Sequence, residues 1–254
     1  MGRPLRSNTS IALFSIFQRL AGFLIVCGIG WLIWLGMLLC WGYEDSFLIL
    51  NAIRHPLADL LMPHYTHFGD GLLICILVSL FFARKDLALI LSLLVGMLLV
   101  GGVVYVGKHW IFEDWHRPVM VFLHRVEFFE IPLRRLFHFT FPSGHSAAVG
   151  GAVCFLAFHV GKRSWLGGLL ALFSLSAAYS RLYIGVHFLG DVLVGHFLGV
   201  LCAVLSLGIA YPRFQRSLHT RPLSMLEVWK KRSWMFIWIL LPISLSWIYV
   251  SEYL

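Results

Sequence analysis

Charge is what this sequence has least of. Only 13% of its 254 residues are Asp, Glu, Lys or Arg, while 59% are hydrophobic and the mean hydropathy is +0.84. So few charges cannot cover the surface of an ordinary water-soluble domain, which excludes a cytosolic enzyme as the default reading. Acidic residues are the scarcer kind, 12 against 20 Lys and Arg, for a formal charge of +8. In a soluble chain that excess would raise nucleic-acid binding. Here the membrane surface accounts for it, and no nucleic-acid partner is expected. Cysteine pairs are missing too. Cys27, Cys40, Cys75, Cys154 and Cys202 each stand alone inside an apolar block, with no metal-ligand or redox spacing, and read as apolar filler. There is no internal repeat, no low-complexity tract and no small-residue cleavage site after the first long apolar block, so that block is expected to stay in the mature protein.

What is abundant comes in runs. Uncharged blocks cover Leu20–Trp41, Leu87–Gly107, Val192–Tyr211 and Trp234–Val250, each long enough to span a bilayer. Three more, His67–Ala83, Ser146–Val160 and Trp165–Tyr179, are shorter or polar-edged, as suits helices that open onto a water-filled site. The expected fold is all-α: one polytopic membrane helical bundle over residues 1–254, with six core spans and a further C-terminal block at 234–250 that contains Pro242. With the N-terminus in the cytoplasm, the inner segments hold 13 of the 20 Lys and Arg, which the positive-inside rule favours. The basic stretch 212–233 then reads as a cytoplasmic connector.

Two outer segments, Lys108–His145 and Ser180–Asp191, collect His, Arg and Asp while the rest of the chain is bare. Ionisable groups at that depth are costly, so they point to function. In the first, Val119–Phe137 mixes aromatic and basic residues in the manner of a segment lying in the outer interface.

Three constellations carry chemistry. Pro142-Ser143-Gly144-His145 stands just before an apolar run, so backbone N–H groups at a helix start and a titratable ring face one place, where an anion is welcome. The same pattern also describes an N-cap beside a hydrogen-bonded histidine. Ser180-Arg181 is followed by His187 and Asp191. On a helix these last two share a face, and the carboxylate can hold one ring nitrogen while the other stays open for attack. A capping carboxylate beside an interfacial histidine is the alternative. Lys108, then Arg117-Pro118, offer a point charge and a planar fork, which phosphate oxygens accept; membrane anchoring is the other reading.

Taken together, in this order and on one side of the membrane, these parts resemble the type 2 phosphatidic acid phosphatase superfamily. Its signature is Lys before Arg-Pro, then Pro-Ser-Gly-His, then Ser-Arg followed by His and Asp. The second and third parts match in spacing; eight residues separate Lys108 from Arg117 where the family usually has six. The signature region covers 108–191. The resemblance implies that His187 is a nucleophile taking the phosphoryl group as phosphohistidine, that Asp191 holds and activates it, and that His145 protonates the leaving oxygen. Lys108, Arg117, Arg181 and the Ser143–Gly144 backbone would bind the remaining oxygens. Such a set needs no metal and no cofactor, because three cations and helix-start N–H groups supply the positive charge. The implied substrate is a lipid phosphate or pyrophosphate presented by the bilayer, such as undecaprenyl pyrophosphate, lipid A, phosphatidylglycerophosphate or phosphatidic acid, at the outer face of a bacterial-type inner membrane. The oligomeric state is not legible.

Rival readings are an anion transporter, a vanadium haloperoxidase and an inactive relative. A transporter calls for a polar path to the inner side, yet the inner halves of Leu87–Gly107 and Val192–Tyr211 carry no ionisable group except His196. Haloperoxidases are largely soluble, against this hydropathy, and an inactive relative would not need the complete second and third signature parts. His64, His67 and Asp70 read as a capped helix start rather than a metal face, and His196 as a packing or hydrogen-bonding residue able to support His187.

Overall fold

The chain folds, in this computed structural model, into a bundle of α-helices; residues 7–82, 84–123, 138–161 and 163–253 are described. In order these are α1 (Ser7–Trp41), α2 (Tyr43–Asn51), α3 (Pro56–Tyr65), α4 (Gly71–Phe82), α5 (Leu87–Val106), the one-turn α6 (Pro118–Val121), α7 (Gly144–Val160), α8 (Ser164–Tyr183), α9 (Leu189–His219) and α10 (Leu223–Tyr253). No strand occurs among the described residues, as the all-α expectation requires.

Phe14–Trp41, Leu87–Ile111 and Leu189–His219 are each long and apolar enough to cross a membrane. The block expected at His67–Ala83 belongs to a broken pair, Pro56–Gly69 and Gly71–Phe82, bent by 74°. Local chemistry explains the break. Pro56 starts α3 behind the capping ring of His55, which accepts the Leu57 N–H at 3.2 Å. A 3₁₀ turn, Thr66–Gly69, follows, and Asp70 then caps α4 by accepting the N–H groups of Leu72 and Leu73 at 3.0 and 2.9 Å. Asp70 is thus the helix cap its position suggested. The basic stretch expected as a connector is helical for most of its length, with a break between His219 and Leu223; α10 continues through Pro242 and packs on α4.

α7 is the hub, packed against α9, α8, α5, α4 and α1. Its residues between the two end histidines are nearly all apolar, and 12 of its 17 are buried, so it is wrapped in protein instead of lipid. The closest crossing is with α9. A Cβ on Gly199 would lie 2.0 Å from the Ala147 carbonyl oxygen, and one on Gly195 would lie 2.4 Å from that of Ser143, so only glycine lets the backbones approach this far. That crossing brings the start of α7 against the start of α9. The outer helices present their apolar side chains outward instead: Leu32 and Leu39 of α1 are 70% and 78% exposed, a surface suited to acyl chains.

Candidate active site

The site is assembled where α5 and α8 end and α7 and α9 begin. Ser143 caps α7: its Oγ accepts the Ser146 N–H at 3.4 Å and the Ser146 hydroxyl at 2.9 Å. Its own backbone N–H donates to the Asp191 carbonyl at 3.0 Å. This corrects the expectation that the Ser143 N–H contacts substrate. That donor ties the two helix starts together, and the first-turn N–H groups of Gly144 and His145, which have no carbonyl one turn back, are the ones open to an anion. His145 is half-buried, with Gly69 of the 3₁₀ turn packed against its Cβ.

His187 is not on a helix. α8 runs to Tyr183, so Ser180 and Arg181 occupy its last turn rather than a loop, and α9 starts only at Leu189, with Phe188 as its N-cap residue. Gly185, at φ 85, turns the chain between them. The expected helical i, i+4 face is therefore replaced by a capping arrangement. Asp191 stands at the third residue of α9, and its Oδ2 accepts the Phe188 N–H at 3.0 Å and lies 3.2 Å from His187 Nδ1. The carboxylate thus still engages Nδ1 of the ring.

Three cations surround the ring. Arg117, only 6% exposed, donates from Nε to the His138 carbonyl at 3.1 Å and from Nη1 to the Val186 carbonyl at 3.2 Å. Arg181, 7% exposed, donates from Nη1 to Thr66 Oγ1 at 2.8 Å. The carbonyls at the end of α8 are held by Asn51 Nδ2, at 3.2 Å from Leu182 O and 3.1 Å from Tyr183 O, which steadies the turn bearing Arg181. Lys108 reaches the cluster from a widened π turn, Gly107–Ile111, closed by Phe112 N–H donating to the Gly107 carbonyl at 2.9 Å. A wide turn takes up extra chain, and it lies within the long Lys108-to-Arg117 interval. Gly107 packs under Pro142, whose Cδ would lie 2.8 Å from a Cβ there.

Burial, and then the charges of Arg117, Lys108, Arg181 and His145, hold the His187 imidazole well below its ordinary value of 6.5, so it is neutral at pH 7. Burial also pulls Arg117 down to about 10, opposed by the Asp191 carboxylate, and leaves it charged.

Two residues outside the sequence motifs complete the network. Thr140 is buried, hydrogen-bonds Asp191 Oδ2 and lies 3.2 Å from His187 Nδ1; the Tyr43 hydroxyl donates to Asp191 Oδ1. Burial and Asp191 push the Tyr43 phenol up, which keeps it a donor. Thr140 could have been found from its place two residues before Pro142. Tyr43, distant in sequence and at the edge of an apolar block, looks like an interfacial aromatic and carries no such signal.

Other expectations fall elsewhere. His196 is buried with Nδ1 accepting from Trp31 Nε1 at 3.0 Å and Nε2 3.1 Å from Ser174 Oγ, so it hydrogen-bonds as expected but braces α1 and α8 instead of supporting His187. His109 packs between Tyr105 and Phe139, and His116 pairs with His138, their Nδ1 atoms 3.1 Å apart. Of the interfacial segment Val119–Phe137, residues 119–123 are described, and 124–137 lie outside the described residues. All five cysteines are free thiols.

Known proteins resemble the chain in sequence and in fold. The PAP2 superfamily profile matches residues 89–215. Phosphatidylglycerophosphatase B of Bacillus subtilis (strain 168) is 32% identical over 172 residues, 61% of this chain and 77% of that protein. The putative undecaprenyl-diphosphatase YbjG of Escherichia coli (strain K12) is 32% identical over 110 residues, 43% of this chain and 49% of that protein. Lipid A 4'-phosphatase of Bacteroides thetaiotaomicron is 39% identical over 61 residues, 24% of this chain and 27% of that protein. The chain thus spans half or less of these last two relatives. Among solved structures, Aquifex aeolicus LpxE superposes with a TM-score of 0.55 at 26% identity, covering 65% of this chain and 94% of that one. The transmembrane PAP2 type phosphatidylglycerolphosphate phosphatase of Bacillus subtilis superposes with a TM-score of 0.52 at 25% identity, covering 82% and 99%.

Proposed function

The chain belongs to the PAP2 superfamily, and from that premise we propose that it is an integral-membrane phosphatase that hydrolyses a lipid phosphate or pyrophosphate through a phosphohistidine at His187. The observation that carries the reading is the environment of that ring: neutral, held at Nδ1 by Asp191, and ringed by three cations.

Nε2 of His187 attacks phosphorus, and the bond to the lipid oxygen breaks as His145, which takes up a proton when the negative substrate phosphate binds beside it, gives that oxygen its proton. Asp191 stabilises the positive charge the ring acquires through Nδ1–H. Lys108, Arg117, Arg181 and the Gly144 and His145 N–H groups take the negative charge on the three other oxygens. Water, losing its proton to the now neutral His145, then attacks the phosphohistidine and frees His187 and phosphate. The positive charge this reaction requires is present in the side chains, which supports a metal-independent reaction.

The cluster lies at the ends of apolar helices, where a lipid headgroup can reach it while its chains stay in the bilayer. With the N-terminus in the cytoplasm, it faces the outside of a bacterial inner membrane. The relatives' names supply the panel: lipid A, undecaprenyl diphosphate and phosphatidylglycerophosphate, with phosphatidic acid added. Phosphate release by the purified protein in detergent with a chelator present, beside His187→Ala, tests the proposal. We expect release from at least one lipid, lost in the variant. Release that survives His187→Ala names the wrong nucleophile, and release abolished by the chelator overturns the metal-free reaction.

A further inference from the structure

The charged groups of the bundle gather at both of its ends. α5 starts beside Asp86 and leads into the turn that carries Lys108; its 20 residues rise about 30 Å, the thickness of a hydrocarbon core. The end opposite the histidines therefore lies at the other membrane interface. A cavity of about 460 Å³ opens there, lined by Lys85, Asp86, Arg216, His219 and Lys230 among others.

Three cations face one carboxylate in it, and that carboxylate is already engaged. Asp86 Oδ1 accepts the Leu89 N–H at 3.0 Å and Oδ2 accepts the Tyr211 hydroxyl at 2.7 Å. Arg216 donates from Nε to the Pro212 carbonyl at 3.2 Å, which leaves the two Nη groups for a bidentate acceptor. Lys230 reaches Glu227 at 3.0 Å, an exposed pair of the weak kind with which a phosphate can compete. Apart from Gln215, whose amide donates to the Tyr211 hydroxyl at 2.8 Å, the rest of the wall is apolar, with Leu87, Leu218 and Leu226 in the lining and Phe81 and Leu223 exposed at 61% and 81% on the flanking helices. A free anion would use only the cationic half of such a site; a phospholipid uses both, its phosphate among the cations and its chains along the leucines.

The cavity depends on α10, which lies beyond the residues 89–215 shared with the family. Arg84, in the turn after α4, lies 3.8 Å over the Trp234 ring of α10. We propose that this cavity binds the phosphate headgroup of an anionic phospholipid in the leaflet opposite the catalytic cluster, and that the lipid fastens α10 to the α4–α5 turn and to the end of α9.

The test is thermal unfolding of the purified full chain in neutral detergent at fixed ionic strength, titrated with phosphatidylglycerol, with phosphatidylcholine of the same chains and with inorganic phosphate. Phosphatidylglycerol alone should raise Tm, by roughly 5 °C at saturation. The rise should be at least halved in Lys85→Gln/Arg216→Gln and kept in Arg181→Ala, which alters the other end. Should the double variant prove unstable without lipid, Lys85→Gln on its exposed turn makes the same comparison. An undiminished rise in the substituted proteins, or one lost in Arg181→Ala, would overturn the site. An equal rise with inorganic phosphate would replace the lipid by a free anion and overturn the proposed occupant.

Discussion

The two ends of this bundle carry similar residues in opposite settings. At the histidine end, Arg117 and Arg181 are almost fully buried and bonded to carbonyl and hydroxyl oxygens from other parts of the chain. At the other end, Arg213 and Arg216 are exposed and reach only carbonyls of their own helix, one turn back. Where protein rather than water surrounds a cation, its field on a neighbour such as His187 is strong and its direction is held; where water surrounds it, the field is screened. The same side chains are therefore fixed at one end, as the proposed reaction requires, and adaptable at the other, as the proposed lipid site requires.

Substitutions at matched positions test that contrast, from the largest effect down. His187→Ala should lower kcat/KM on the order of a thousandfold or more, because the covalent route is lost; measured phosphate release checks it. Arg117→Lys keeps the charge but cannot bond the His138 and Val186 carbonyls from one planar fork, and should cost roughly ten- to a hundredfold in kcat. A loss below twofold would mean that charge alone matters there.

Removing one hydrogen bond to the Asp191 carboxylate with Tyr43→Phe should cost roughly tenfold in kcat with KM little changed. An unchanged rate would assign Tyr43 to packing alone. The pH profile follows from His187. Its folded pKa is depressed, so the neutral ring persists into acid, and the acid limb of kcat/KM should lie below pH 6.5. Arg117→Gln, which removes the largest of the charges acting on the ring, should move that limb upward. A wild-type limb at or above 6.5 would contradict this electrostatic picture. The smallest effect is expected at the open end, where Arg213→Gln should change activity less than twofold in the same assay.

Much of this was legible in the chain. Long uncharged blocks report helices because a bilayer gives the backbone no other partner, and the all-α bundle follows directly. His145, His187, Arg181 and Asp191 were legible because they are polar in a sequence that tolerates almost no polar residue at that depth. Hydropathy could not separate α1 from α7, however, since apolar residues read alike whether they face lipid or protein. Only the packing shows that α1 is exposed and α7 enclosed.

The finer parts of the site were decided by tertiary structure for the same reason. Tyr43 and Thr66 lie far in sequence from Asp191 and Arg181, and they become partners only because α2 and the 3₁₀ turn pack beside the ends of α9 and α8. The Ser143 N–H was expected to face substrate, yet the crossing at Gly195 and Gly199 turns it to the Asp191 carbonyl. Sequence by itself determined which residues are chemically capable, because that is a property of each side chain and its immediate neighbours. Which nitrogen is left to react, which cation faces it and which donor is already taken were decided by tertiary structure, because each depends on the distance between groups the chain alone does not bring together.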